Sequence, residues 1–490
     1  MTPVFFFGLV PILYFLNYFL KINLNNPIIL ILVFVILGGE VFWLWRKRNN
    51  IKWDKALISV IILFGLMHII FYHFYGTMPE PDGYVDLLRI EGMAKSGMID
   101  YQYRPFFYTA MTMLTTITKI DPYVIFTVVM IFMSVTMIIV LAKISDDLKI
   151  IGWKKFLILS TALAFPVINM EIDFFRPQNM YLIFFPVWFY LMYKEKYWWA
   201  GWIAVVGLGY HQFFIFPIVA TVWVLVWRYL PKWLISLVII LIVSFGIWRY
   251  WGKFTWRWWF LDNYSTYPDN IQMGWPGIKG TAMFYGYYYG PMFLAVIPLL
   301  WKKPKDKLIR MALLMLTAFI AMSELVPRIL FAYLPERFVI LSDLIVLLIL
   351  PVVLVKVKMK KIIRYVWVML IITGIGASVY IAKNKGSMTS LNERTAAIWI
   401  KENTPTDAII ATQESNGVML DYFAKRKWVT IDNIYESSYI LFSKEKLKSL
   451  YAIRQYWCQR NYCDLNLETI NKNNSLVYEE NGVYIWKTGN

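Results

Sequence analysis

Cysteine and histidine are scarce in this chain. Of 490 residues, two are cysteine and three are histidine. Cys458 and Cys463 alone cannot build a disulfide framework or a cysteine-type metal centre. Lying outside the membrane in the topology derived below, they are placed where a small-loop disulfide can form. His68, His73 and His211 show neither an HExxH pattern nor clustered zinc-ligand spacing. Charge is scarce as well: 16% of the residues are charged, against about 25% in a soluble domain. The opening "MTPVFFFGLVPILYFLNYFL" has no basic leader and no small-residue cleavage site, and is expected to be a retained first span. Neither an internal repeat nor a low-complexity segment occurs.

What is abundant is apolar surface. Hydrophobic residues make up 59% of the chain and mean hydropathy is +0.52. The expected fold is therefore an all-α polytopic membrane protein of about thirteen transmembrane helices, since apolar runs of roughly 18 residues suffice to cross a hydrocarbon core of about 30 Å. Candidate spans lie near 4–20, 27–45, 56–76, 122–143, 156–169, 179–193, 198–210, 213–229, 233–250, 284–300, 308–323, 337–355 and 362–382. Trp and Tyr flank many of them, as in "EKYWWAGW", where amphipathic rings suit the interface.

Lysine and arginine number 49 against 31 acids, a net charge of +18. They are scattered through short loops instead of gathering on one face, so they report topology and attraction to membrane lipids, and no nucleic-acid partner is expected. Basic loops at 46–55, 143–155, 194–196, 228–232, 301–310 and 356–364 all fall on one side of the expected spans. That side is expected to be the cytoplasm, with the N-terminus, by the positive-inside rule. The opposite side receives 77–121, 171–179, His211, 251–283, 323–338 and everything after about 383. From Asn384 the pattern changes to helix, strand, helix, strand, with "AIIAT" and "WVTID" as short strands and a hairpin around Asn481-Gly482. The expected organisation is two N-terminal spans (1–55), a transmembrane core (56–382) and an extracytoplasmic α/β domain (383–490).

The polar residues of the outer side carry the functional reading. In "EPDGYVDLLRIEG", Asp82 precedes a helical pattern. As a plain N-cap it would stabilise that helix by about 1 kcal/mol. With Tyr84, Gly97 and the closing Arg104-Pro105, however, the segment from Glu80 to Phe107 resembles the first outer loop of the GT-C glycosyltransferases. These membrane enzymes take a sugar from a polyprenyl-phosphate carrier. The resemblance implies that Asp82 is the catalytic base of an inverting transfer to a glycan, lipid or protein acceptor. The chemistry independently wants such an acid, because the acceptor hydroxyl must lose its proton as the anomeric carbon gains oxocarbenium character.

Other outer residues fit supporting roles, each with a plainer alternative. The resemblance implies that a second outer loop offers acids to the same cavity, so Glu171 and Asp173 in "EIDFFRPQN" would orient the acceptor. With Asp82 they are also the oxygen ligands available should a divalent ion, Mg²⁺ or Mn²⁺, be required. The alternative is a solvated loop end. His211, in "GYHQFF", is a further acceptor or metal support, or a hydrogen bond between helices. Arg337, Arg328, Arg176 and Arg104 would hold the donor phosphate through planar guanidinium forks, or serve as interfacial anchors. Asp86, Arg89 and Glu91 are expected on the wet face of the Asp82 helix. The competing function is a transporter or lipid flippase, which calls for paired charges deep within spans and matched halves.

Overall fold

The computed structural model describes residues 5–47, 53–75, 82–100, 104–173, 177–226, 289–290, 293, 296, 307–325, 336–355, 360–385, 390–412, 414–430, 436–443 and 474–488. A π-helical turn at Phe5–Leu9 leads into α1 (Val10–Tyr18). The bundle continues through α2 (Pro27–Lys47), α3 (Lys55–Tyr75), α4 (Asp82–Ser96), α5 (Pro105–Thr118), α6 (Pro122–Asp147), α7 (Gly152–Ser160) and α8 (Pro166–Asp173). After these come α9 (Asn179–Tyr193), α10 (Tyr197–Tyr210), α11 (Ile215–Val226), α12 (Lys307–Ile320), α13 (Glu336–Leu354) and α14 (Lys361–Lys385). Proline opens α2, α5, α6 and α8, where its fixed φ is preorganised and its missing N–H is no loss.

The expectation of about thirteen transmembrane helices is not met. Among the described residues one helix, Lys361–Tyr380, is both long and apolar enough to cross a membrane. The apolar runs are real, but several are broken or short. The run at 156–169 is α7, a 3-10 turn at Thr161–Ala164, an extended Phe165 and then α8 at Pro166. The runs at 179–193 and 198–210 are helices of 15 and 14 residues. That at 213–229 yields a 12-residue α11 after a 3-10 turn. Hydropathy averages over such breaks. α2 and α3 are unbroken over 21 residues each and are apolar over Pro27–Phe42 and Lys55–Phe71. The run at 233–250 lies outside the described residues, as does most of 284–300.

After α14 the chain forms α15 (Leu391–Asn403), β1 (Ile409–Thr412), α16 (Glu414–Phe423), β2 (Lys427–Thr430), β3 (Tyr439–Ser443), β4 (Asn474–Glu480) and β5 (Val483–Thr488). The five strands make one mixed sheet in the order β2-β1-β3-β5-β4. β1 runs parallel to β2 and β3, while β5 runs antiparallel to β3 and β4. The β4–β5 hairpin turns at Asn481 and Gly482, both at positive φ, the backbone that a two-residue hairpin loop demands. A capping box starts α15: Ser390 and Glu393 each satisfy the other's amide. Buried Arg426 ends it, donating to the carbonyls of Lys401 and Thr404.

Two ends of the helical bundle differ in chemistry. At one end, the fully buried Lys155 pairs with Asp54 at 2.6 Å and Asp146 at 2.7 Å. Nearby, Lys194 meets Asp147 at 3.3 Å and Lys154 donates to the Val355 carbonyl. Asp54, the 143–155 and 194–196 segments and the end of α13 therefore meet there. Between the ends, α2 and α3 turn large apolar side chains outward, with Ile28 75% and Phe34 67% exposed. The other end carries α4, the sheet unit and the start of α9.

Candidate functional site

The helix that opens with Asp82 is pinned at both termini. At its C-terminus Gly97 adopts φ +70°, and a Cβ there would sit 1.8 Å from Asn23 Oδ1. Only glycine fits. The Gly97 carbonyl accepts from Asn17 Nδ2 and Leu24 N, both at 2.9 Å, and Asn17 Oδ1 accepts from Ile99 N at 2.7 Å. Near its N-terminus, buried Tyr84 packs on Tyr422 and Phe423 of α16, with ring centroids 5.9 and 5.6 Å apart. Tyr422 in turn donates to Asp121 at 2.5 Å, the residue that caps α6. Arg394 stacks over Phe423 and Tyr123, closing an aromatic cluster with a cation.

The middle of α4 is not a wet face, contrary to the sequence reading. Asp86 is buried, accepting from the Tyr108 hydroxyl at 2.5 Å and from Arg89 at 3.2 Å. Burial and then the Asp86 charge push the Tyr108 phenol far up from its usual value. Glu91 binds Lys95 at 2.9 Å and also Lys425, which lies beyond the end of α16. Partial burial raises its carboxyl, but the hydrogen bonds and charges of Lys425 and Lys95 outweigh that and hold it below its usual value. These residues fasten α4 to α5 and to the α/β unit. Three- and four-residue spacing could have flagged them, but their partners are far away in sequence.

A second constellation lies where α9, the turn after α10 and α13 begin. Gln178, Asn179, Tyr181, Phe213, Ile340 and Leu341 line a narrow cleft, and Phe213 packs on Phe338 at 5.5 Å. The described walls leave about 10 Å³ for a water's centre, room for roughly one molecule. The buried Tyr181 hydroxyl has no hydrogen-bond partner among the described residues. Phe106, two residues after Arg104, packs edge-on against Tyr210 at 5.7 Å. That approach requires Gly209, where a Cβ would meet the Phe106 ring at 2.1 Å. The described parts of 171–179 and 209–214 thus reach this cleft, as do residues just after 323–338, and Phe106 packs on Tyr210 beside the second of them.

Individual residues divide as follows. Asp82 opens α4, Glu171 and Asp173 close α8, and Arg337 opens α13; their side chains lie outside the described residues, as do Arg176 and Arg328 altogether. Arg104 is half-buried and holds φ +58°, ψ +52° at the N-cap of α5. That left-handed conformation is uncommon for a side-chain-bearing residue and sets it apart from the usual helix C-cap use. His211 is fully buried and extended, and its Nδ1 accepts from Phe213 N at 3.2 Å. In the neutral ring the proton then sits on Nε2, so in this arrangement His211 offers an N–H rather than a metal-binding lone pair. Among the described residues no three His, Cys, Asp or Glu side chains gather closely enough to hold a metal ion.

No family model matches the sequence, and no curated protein does. The site therefore has to be read from its own geometry. That geometry has an acid-bearing helix clamped between the bundle and the α/β unit, and a cleft at the starts of α9 and α13. One carboxylate escaped the sequence reading entirely. Asp343, in the middle of α13, is fully buried and its two oxygens have no hydrogen-bond partner among the described residues. It sits inside an apolar run, "FVILSDLIVLLILP", where hydropathy hides a lone acid.

Proposed function

We propose that this chain is a membrane-embedded glycosyltransferase of the GT-C type, moving a sugar from a polyprenyl-phosphate donor to a hydroxyl of a glycan, lipid or protein. Asp82 takes the proton of the acceptor hydroxyl. The acceptor oxygen attacks the anomeric carbon, the bond from that carbon to the phosphate oxygen breaks, and the lipid phosphate leaves with the electron pair. Arg104, Arg176, Arg328 and Arg337 are the cations available to that phosphate, and Glu171 and Asp173 the acids that would orient the acceptor. What supports the reading is that the described parts of 171–179 and 209–214, with residues just after 323–338, line one cleft toward the end of the bundle where α4 is clamped. The outward apolar faces of α2 and α3 support embedding in lipid. The rigid mooring of α4 supports a role for its first residue, since a catalytic carboxylate must be held in place.

The test is turnover of lipid-linked sugars by purified protein. Asp82→Asn is expected to lower kcat by at least about 100-fold, in line with loss of a general base, with the thermal transition unchanged. Wild-type turnover in a folded mutant would remove Asp82 from the chemistry.

A second reading, transport, is favoured by Asp343 alone, because a lone buried acid within an apolar helix is expensive and marks ion or substrate pathways. Counterflow in proteoliposomes separates the two: flux abolished by Asp343→Asn, with no sugar transfer by wild type, would select transport.

A further inference from the structure

At the basic end of the bundle, opposite the proposed site, a cavity of about 300 Å³ opens between the end of α9, the start of α10, and α11, α12 and α13. Its inner wall is apolar, built from Met192, Val224 and Met311, while Tyr193, Glu195 and Tyr197 contribute polar atoms. Glu195 holds φ +56°, a conformation that side-chain-bearing residues rarely adopt. It is flanked by exposed Lys194 and Lys196, and no ion pair engages it among the described residues. Immediately beyond stand Trp198 and Trp199, 84% and 65% exposed. Exposed tryptophans beside lysines mark the headgroup depth of a bilayer.

We infer that this cavity binds a phospholipid with an ethanolamine headgroup, its ammonium on Glu195, its phosphate toward Lys196, and an acyl chain against Met192, Val224 and Met311. Three features select that occupant. The cavity is amphipathic, as a headgroup with the first part of its chain requires. Lys194 is held by Asp147, which leaves the carboxylate of Glu195 next to the ammonium-bearing Lys196 in the chain, so a zwitterion matches where a purely anionic lipid would face Glu195. A primary ammonium can donate hydrogen bonds to a carboxylate, which a choline cannot. The inference rests on the membrane part of the proposed function and is independent of glycosyl transfer.

The experiment is native mass spectrometry of the full chain released from vesicles holding equal parts of phosphatidylethanolamine, phosphatidylcholine and phosphatidylglycerol, after co-flotation with those vesicles. Retention of the ethanolamine lipid about tenfold over each of the others is expected, equivalent to roughly 1.4 kcal/mol. Glu195→Gln is expected to erase that preference. Val224→Trp, which fills the apolar wall, is expected to reduce retention of the ethanolamine lipid while leaving flotation intact. Equal retention of all three lipids, or a preference that survives Glu195→Gln, overturns the site while leaving the membrane reading standing. A chain that does not float overturns both.

Discussion

Asp86 and Tyr108 show what a single buried hydrogen bond does for this molecule. The carboxylate is almost out of water, and its partners are a phenol on α5 and an arginine one turn along α4. Removing one side leaves a buried charge short of a donor. Tyr108→Phe is therefore expected to destabilise the protein by about 2 kcal/mol, the range of hydrogen bonds to charged groups. A double-mutant cycle with Asp86→Asn checks the assignment. If the two losses add instead of overlapping, the bond is not the source. Lys155 is the corresponding residue at the other end. A lysine with no exposed surface is held there because two carboxylates, Asp54 and Asp146, meet it within 2.7 Å.

The element that matters most is α4, which is amphipathic in a different sense from an interfacial helix. One side goes to α5 through Asp86, another to α16 through Tyr84 and Glu91. The expected consequence of Lys425→Glu is faster hydrogen exchange along α4 and α16, with protection returning in the charge-swapped pair Glu91→Lys, Lys425→Glu. Its pH dependence has a definite sign. Glu91 is held below its usual value in the folded state. Its contribution is thus present above the ordinary glutamate value near pH 4.3, and it is lost as pH falls toward the folded value. Exchange protection of α16 that rose on acidification would contradict the pairing.

At the scale of the whole molecule, the segregation of chemistry is the organising fact. Basic segments distant in sequence meet around Lys155 and Lys194, while Asn17, α4 and α16 lie toward the opposite end. If the chain is embedded as proposed, single-cysteine reporters at Lys194 and Lys95, in a background lacking Cys458 and Cys463, will react with impermeant maleimide from opposite sides of sealed vesicles. Reaction of both from one side would remove the membrane orientation altogether.

Much of this was legible in the chain. Apolar runs located many of the helices and Asn481-Gly482 identified the hairpin, because each of these signals acts through its own few residues. The polar segments at 171–179, 209–214 and 323–338 stood out because charge and histidine are rare in such a background. Tertiary structure decided what local pattern cannot carry. It decided where several of the apolar runs break, and among the described residues one helix, not thirteen, is both long and apolar enough to cross a membrane. It turned Asp86 and Glu91 from a solvated face into fastenings, since Tyr108 and Lys425 lie 22 and 334 residues away. Hydrophobicity is summed along a sequence, whereas a hydrogen bond or a close ring contact exists only once distant residues have been brought within a few ångströms.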